Sequence, residues 1–288
     1  MRDANRSWHN LPVHHAAWLA VAVVLLAACG AGARSTAQST SQSTMQSAPA
    51  GSAALPSSQG SAAAGSGLPT RVDKSLPPYA PAIDPANFVA EVTNPYFPLK
   101  PGTTLIVDGT RDGVPRHEEM TITKETRTIM GVPCVVVRDV STSHNALVEK
   151  TTDWYAQDKD GNVWYFGEDT AEYTDGKVSS TAGTWLAGVD GALPGYIMKA
   201  APKVGDEYRQ EYRPGIAEDY ATVLEVDATA STPAGEFKKV VVTEDIDLLD
   251  KSKNEHKSYA SGVGLAASEG MVSGHHEIRK LTSILTTK

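Results

Sequence analysis

Cysteine is scarce in this sequence: the 288-residue chain contains two, Cys29 and Cys134. Two cysteines cannot build the disulfide framework on which small secreted domains rely. Cys134 lies within an apolar run, residues 132–137, which is typical of a small buried side chain rather than a nucleophile. The domain must therefore be stabilised by its hydrophobic core and not by disulfides.

The common catalytic signatures are missing as well. The chain has no G-x-S-x-G, H-E-x-x-H, G-x-G-x-x-G, P-loop or C-x-x-C pattern. His276-Glu277 begins like a zinc motif, but Lys280 stands where the second histidine is required. These absences favour a binding protein over an enzyme, and they imply no cofactor. The net charge of −8 lacks the basic excess that a nucleic-acid partner requires.

Long apolar runs are also lacking, apart from one near the start of the chain. Residues 16–28 carry no charge and end in Leu26-Ala27-Ala28-Cys29. Thirteen residues suit a signal peptide, whereas a membrane-spanning helix needs about 20. The tetrapeptide resembles the lipobox of bacterial lipoproteins, in which the cysteine receives a diacylglycerol after cleavage. The resemblance implies a signal peptide over residues 1–28, acyl chains such as palmitate on Cys29, and the lipid bilayer as a partner.

The location follows from that signal. A diacylglyceryl cysteine supplies two acyl chains, which anchor a protein more firmly than one. Gly30 is not an acidic retention residue, so we expect the outer membrane in a cell that has one. Otherwise the expected location is the outer face of the cell membrane. Residues 29–70 form a tether of Ser, Ala, Gln and Gly that carries no charge from Ser35 to Leu68, has a reach of roughly 35 Å, and precedes a domain at 76–286.

The domain is predicted to be all-β and mainly antiparallel, either a sandwich or an open or half barrel. Turn dipeptides such as Asp112-Gly113 and Asp175-Gly176 separate short segments of strand-forming residues. One short helix is expected near residues 85–92, with Asp84 as its N-cap and Pro85 at its first position. The predicted strands are 103–108, 118–129, 135–140, 154–157, 163–167, 208–212, 220–228, 239–243, 258–260 and 277–285.

The domain also shows a possible internal repeat of about a hundred residues. Two sets of landmarks occur in the same order with similar spacing: Gly102, Gly131, Val136 and Tyr155, and then Gly205, Gly235, Val241 and Tyr259. We therefore expect two tandem copies of one β unit, near 95–170 and 198–270, linked by 171–197. Convergent use of similar strands and turns is the alternative.

Residues 153–170 form the most distinctive block, with aromatic residues on both sides of Asp160-Gly161. The spacing favours a β-hairpin turning at this dipeptide. The alternative is a calcium loop, whose ligands would be Asp158, Asp160, Asn162 and Asp169. The glycine of a calcium loop would fall at Val163, which favours the hairpin and no metal.

The segment between the two repeats is rich in Gly and Pro and offers candidate ligand-binding residues, namely Trp185, Asp190, Tyr196 and Met198. Carboxylates are frequent nearby. Five of them could supply a pair for acid–base hydrolysis: Glu168, Asp169, Asp190, Glu218 and Asp219. Solvated acidic edges are the alternative explanation for these charges.

Blocks at 94–102, 153–170, 188–192 and 262–265 resemble a group of uncharacterised bacterial secreted lipoproteins. This resemblance, over roughly residues 88–270, implies a shared fold and location but no activity. A looser similarity is to lipid-carrying half-barrel lipoproteins. We therefore predict an envelope lipoprotein that acts as a binding or scaffold module for an apolar ligand, a cation or a glycan. The alternative is a glycosidase-like envelope hydrolase that uses a carboxylate pair.

Overall fold

The computed structural model describes Leu76 and residues 78–287, which lie within one compact unit, Asp73–Lys288. The leader, Cys29 and the tether lie outside the described residues. Antiparallel strands dominate this part of the chain, which confirms the predicted all-β class. The strands are β1 (Phe88–Val89), β2 (Thr103–Arg111), β3 (Val114–Ile129), β4 (Val132–Ser143), β5 (Ala146–Asp158), β6 (Val163–Thr174), β7 (Lys177–Ser180), β8 (Trp185–Leu186), β9 (Leu193–Met198), β10 (Glu207–Arg209), β11 (Glu211–Tyr212), β12 (Asp219–Thr232), β13 (Gly235–Asp247), β14 (Asn254–Ala260), β15 (Gly264–Val272) and β16 (His275–Thr286).

These strands form one curled sheet in the order β10-β12-β13-β14-β15-β16-β2-β3-β4-β5-β6-β9-β11. Its two end strands, β10 and β11, are separated in the chain by Gln210 alone. Gln210 donates its backbone N–H to the carbonyl of Asp219 at 2.9 Å. The sheet therefore curls until its two ends meet at one short segment of the chain, which gives a nearly closed, barrel-like architecture.

Local sequence explains most of the hairpins. Asp112 and Gly113 both have positive φ, 49° and 78°, as a two-residue turn between β2 and β3 requires. Nine of the ten predicted strands are present as single strands, and most are longer than predicted because their polar ends continue the pairing. The tenth, 208–212, is divided at Gln210 into β10 and β11, which pair with different strands. Five strands were missed: β1, β7, β8, β9 and β15. β15 begins Gly264-Leu265-Ala266-Ala267, and small residues of this kind give little strand signal.

The helix expected near 85–92 is wrong in type and length. Asp84 does cap it, accepting from the N–H of Ala86, but the element is a single 3₁₀ turn at Pro85–Asn87. The next residue, Phe88, pairs with Asp158 as part of β1 and packs edge-on against Phe166 at 5.6 Å. Burial of the Phe88 ring against this aromatic cluster is incompatible with a continuing helix.

The sheet contains two stretches with the same strand order. We call β2 to β6 the first half, and β10 with β12 to β15 the second half. Gly102 donates to the carbonyl of Ile122 at 2.8 Å, and Gly205 donates to that of Val223 at 2.9 Å. A bulge lies directly before Tyr155 in the pairing of β5 with β6, and another lies directly before its counterpart, Tyr259, in β14 with β15.

One of the sequence landmarks is displaced by one residue. Tyr155 pairs with Val135, whereas Tyr259 pairs with Val241, so Val241 corresponds to Val135 and not to Val136. The error arose because both strands contain runs of consecutive valines that the sequence cannot align. Common strand order, turns and bulges agree with a duplication, which stays a prediction.

The apolar core fills one end of the barrel and the space beneath the loops that cover it. Its largest buried side chains include Trp185, Phe166 and Ile122. Cys134 belongs to this core, and burial raises the pKa of its thiol to about 12, as expected for a structural cysteine. Among the described residues, no helix combines the length and the hydrophobicity needed to cross a membrane.

Candidate functional site: the charged cavity

The other end of the barrel is open and lined by charged side chains. The space consists of two overlapping regions, a mouth of about 440 Å³ and a deeper part of about 420 Å³. Together they form what we call the charged cavity. Its floor is apolar and includes Phe97, Ile197 and Leu265. The cavity is therefore a funnel with charged walls above an aromatic and aliphatic base.

Three basic side chains enter the cavity from the second half and from β16. Lys257 contacts Asp245 at 3.0 Å and Glu255 at 3.6 Å. Arg279 donates to Glu118 at 2.8 Å and to Glu255 at 2.7 Å. Burial opposes a charged Glu255, but Lys257 and Arg279 outweigh it and hold the pKa of this carboxyl well below its usual range.

The third basic group, Lys253, forms an ion pair with Asp219. Burial would lower the pKa of Lys253, but the negative charges of Asp219 and Glu211 raise it above its usual value. Lys253, Lys257 and Arg279 are thus all charged and all engaged with carboxylates. The basic wall of the cavity is neutralised within the protein.

The acidic wall is not neutralised in the same way. Five carboxyl groups line the cavity without an ion pair to any basic side chain among residues 78–287: Asp139, Glu149, Asp153, Glu168 and Glu211. Burial is the main cause that raises the pKa of each, and neighbouring carboxylates raise it further. The pKa of Asp153 is raised to about 7 and that of Glu168 to about 8.

Tyr165 joins two of these carboxyls. Asp153 and Glu168 are cross-strand partners on β5 and β6. The hydroxyl of Tyr165 lies 2.5 Å from Asp153 and 3.1 Å from Glu168. A hydroxyl has one proton to donate, so it can give a full hydrogen bond to one carboxyl only, and a proton on the other carboxyl would make the second contact a full hydrogen bond as well. The geometry therefore matches a shared proton, with Tyr165 donating to Asp153 and a protonated Glu168 donating to Tyr165.

Two further tyrosines line the same space. Tyr155 and Tyr259 occupy equivalent positions in the two halves, and both line the cavity. Their side chains are 9% and 2% exposed, and burial raises the pKa of each hydroxyl above its usual value. Each hydroxyl therefore keeps its proton and can donate a hydrogen bond to a molecule in the cavity.

Comparison with known proteins assigns no family to this chain. No protein-family model matches it, and no curated protein matches it. Two solved structures were found. A proposed exported protein with a YmcC-like fold from Bacteroides fragilis shares 16% identity at a TM-score of 0.40, covering 66% of this chain and 98% of that one. A proposed lipoprotein from Parabacteroides distasonis shares 13% identity at a TM-score of 0.37, with the same coverage. At these values neither protein carries information about the activity of this chain.

The structure separates the five carboxylates predicted for hydrolysis. Glu168 and Asp219 line the charged cavity. Asp169 follows Glu168 on the opposite face of β6 and is exposed. Asp190 is exposed and pairs with Arg213 at 3.1 Å, and Glu218 pairs with Arg209 at 3.3 Å. Two of the five therefore line the charged cavity, while Glu168, Asp169 and Asp190 together line a smaller outer pocket.

The candidate ligand-binding residues are mostly structural. Met198 is fully buried in the apolar core, and Tyr196 packs on the ring of Trp164 at 3.9 Å. Trp185 is buried beside Tyr165, with its indole N–H lacking a partner among the described residues. Trp185 and Asp190 both line a smaller outer pocket of about 260 Å³, which reaches Glu168 from the other side.

The four candidate calcium ligands do not form one site. Asp158 accepts hydrogen bonds from Asn162 and from the indole of Trp164, at 2.8 to 2.9 Å, and so stabilises the hairpin turn. Asp160 is exposed in that turn. Asp169 lies seven residues beyond Asn162 along β6, roughly 23 Å at the rise of a strand. The described residues contain no group of three His, Cys, Asp or Glu side chains that could hold a metal ion.

Sequence reasoning missed most of the residues that line the cavity, including Asp139, Glu149, Asp153 and Glu211. A signal was present on β5. Glu149, Thr151, Asp153 and Tyr155 recur at every second position, which places them on one face of a strand. Polar residues on alternate positions are usually interpreted as a solvated face, and only the curling of the sheet turns this face inward.

Proposed function

We propose that the chain is a lipid-anchored protein of the cell envelope that binds a small polar molecule in the charged cavity. The anchor rests on the sequence: a short apolar leader that ends in Leu26-Ala27-Ala28-Cys29, followed by a tether that carries no charge from Ser35 to Leu68. Diacylation of Cys29 would hold the barrel on the extracytoplasmic side of a membrane, with the tether giving access to molecules in the envelope.

One observation carries the binding function: five carboxyls without ion-pair partners among the described residues share a cavity with the side chains of Tyr155 and Tyr259. A ligand can satisfy hydrogen-bonding groups of this kind, whereas an apolar occupant would leave them without partners. Of the three ligand classes expected from the sequence, the lining thus favours a cation or a glycan over an apolar molecule. The volume of about 420 Å³ lies within the range of small-molecule sites.

Native mass spectrometry of the full-length protein tests the binding function with three probes of similar size: benzylamine, methyl β-glucoside and toluene. We expect a complex with at least one of the two polar probes and none with toluene. Thr151→Trp, which places an indole in the cavity, should abolish the complex. Thr152→Trp, on the outer face of the same strand, should retain it. Binding of toluene alone, or of no probe, would contradict the proposal.

A hydrolase is the second candidate function, and the pair Asp153 and Glu168 favours it. Residues directly opposite on neighbouring strands have Cβ atoms about 4.5–5.5 Å apart, which is compatible with the carboxyl spacing of about 5–5.5 Å in retaining glycosidases. Protonated Glu168 would act as the acid and ionised Asp153 as the nucleophile. Fluorogenic β-glycosides test this candidate: turnover should be lost in Glu168→Gln and kept in Asp169→Asn. Absence of turnover by the wild-type protein would exclude hydrolysis of these substrates.

A further inference from the structure

The excess of carboxyl groups over basic groups in the cavity indicates the charge of the ligand that would bind there. Eleven carboxyl groups and five basic groups line the mouth and the deeper part. The three basic groups that reach the deeper part are all engaged in ion pairs. The other two, Arg111 and Arg116, line only the mouth, so further positive charge beside Asp153 and Glu168 must come from protons or from a ligand.

We propose that the ligand is a small organic cation, a protonated amine with an apolar body, which replaces the proton shared by Asp153 and Glu168. This inference rests on the proposed binding function and narrows it to one chemical class. An ammonium group has three N–H donors and suits a wall of carboxylate acceptors. An anionic ligand in the deeper part would face carboxylates, because the three basic groups there are already engaged in ion pairs.

The apolar floor specifies the rest of the molecule. Phe97, Ile197 and Leu265 lie below the carboxyls, together with the rings of Tyr155 and Tyr259. An aromatic or short aliphatic body would bury apolar surface there, at about 25 cal/mol per Å². The ammonium group would then lie at the level of Asp153 and Glu168. The hydroxyls of the two tyrosines flank this position and can hydrogen-bond polar atoms of the ligand.

The exchange of a proton for the ligand follows from the contacts of Tyr165. Without a ligand, one hydroxyl proton faces two carboxyls, and a second proton on the pair completes the second hydrogen bond. A positive charge beside two carboxyls favours their ionised forms. On binding, the protonated carboxyl of Glu168 becomes a carboxylate and its proton passes to solvent. The net charge of the cavity together with its ligand therefore rises by less than the positive charge that the ligand brings.

Other ionisable groups face the pair from the surrounding strands. The acidic ones are Glu118 on β3, Asp139 on β4, Glu149 on β5, Glu211 on β11 and Asp219 on β12. The basic ones are Lys253 directly before β14, Lys257 on β14 and Arg279 on β16. The basic groups stay charged throughout because each is held by carboxylates, so the proton released on binding must come from the acidic wall.

Isothermal titration calorimetry tests the exchange with the full-length protein at neutral pH, in two buffers of different ionisation enthalpy. The probe is benzylamine, and benzyl alcohol is the uncharged control of the same shape. We expect benzylamine to bind with release of up to about one proton and benzyl alcohol to bind at least tenfold more weakly. Asp153→Asn with Glu168→Gln should weaken benzylamine binding at least tenfold and abolish proton release, whereas Asp169→Asn should change neither.

The possible results distinguish failure of the cation inference from failure of the proposed binding function. If benzylamine does not bind but methyl β-glucoside does, the cation inference is wrong and the proposed binding function stands. If benzylamine binds without proton release, the exchange is wrong. If neither probe binds, both proposals fail. Circular dichroism of the double variant shows whether it keeps the β-sheet signal, and retained binding of methyl β-glucoside would show an intact cavity.

Discussion

The two halves of the barrel share their strand order and differ in the charges that they place inside. Counting back from the equivalent tyrosines, Asp153 in the first half corresponds to Lys257 in the second, and Glu149 corresponds to Lys253. The first half thus contributes carboxyls where the second contributes amines. The same backbone framework supports opposite charges at matching positions, so the framework determines where a side chain points and not what it does.

The two halves also differ in whether their buried charged groups form ion pairs. The second half neutralises itself, since Lys257 lies between Asp245 and Glu255. The first half has no basic group at matching positions, and burial beside other carboxyls raises the pKa of its Asp153 and Glu168. A neutralised wall contributes mainly to the structure, whereas carboxyls with raised pKa values can exchange protons for a cationic ligand. The proposed binding therefore rests on the first half.

The largest expected effect comes from removing charge in the second half. Lys257→Met leaves Asp245 and Glu255, 0% and 3% exposed at their side chains, without their shared cation. Breaking a buried ion pair by removal of one partner costs about 3–5 kcal/mol. Urea unfolding should show this loss in the free energy of unfolding. Lys280→Met, at an exposed position of β16, should cost under about 0.5 kcal/mol. Equal losses for the two variants would contradict the buried ion pair.

The second prediction concerns the pH dependence that the first half gives to stability. Asp153 and Glu168 have raised pKa values, about 7 and about 8 when folded, against about 3.9 and 4.3 when unfolded. The folded protein therefore binds more protons than the unfolded chain, so this contribution is full below about pH 4 and is lost by about pH 8. Its size is several kcal/mol, since one unit of pKa difference corresponds to about 1.4 kcal/mol.

The variant Asp153→Asn with Glu168→Gln isolates that contribution. Because the amides stay neutral, the difference in free energy of unfolding between wild type and variant should shift by that amount in favour of the variant as pH rises from about 4 to about 8. Urea unfolding at several pH values measures this difference. A difference that stays constant across the window would show that the pair is ionised in the folded protein.

The contrast between the halves also shows how far the sequence can be interpreted. Strand segments and turns are local properties, so dipeptides such as Asp112-Gly113 and alternating apolar residues predicted nine strands correctly. Closure of the sheet depends on pairing between β10 and β12 and between β9 and β11, and no local pattern encodes these contacts. Without closure, Asp153 and Glu149 could not be distinguished from solvated residues, and so the cavity could not be predicted.

A third prediction compares the equivalent turns at which each half begins. Gly102 and Gly205 have φ of 82° and 84°, in the left-handed region where a side chain costs roughly 1–2 kcal/mol. A Cβ at Gly102 would lie 3.0 Å from Oγ1 of Thr287, whereas a Cβ at Gly205 would meet no atom within 4 Å. Gly102→Ala should therefore cost more than Gly205→Ala, which should cost about 1 kcal/mol. Urea unfolding of both variants measures the difference, and equal costs would show that the Thr287 contact contributes nothing.

The smallest expected effect concerns the equivalent tyrosines that line the cavity, Tyr155 and Tyr259. Because both side chains line the cavity, Tyr155→Phe and Tyr259→Phe should each change the free energy of unfolding by under about 0.5 kcal/mol. Tyr165→Phe should cost about 1–3 kcal/mol, since it removes the hydrogen bonds to Asp153 and Glu168. Although they change stability little, Tyr155→Phe and Tyr259→Phe should weaken benzylamine binding. A loss of stability as large as that of Tyr165→Phe would mean that water or protein already satisfies these hydroxyls and that the cavity does not hold them free for a ligand.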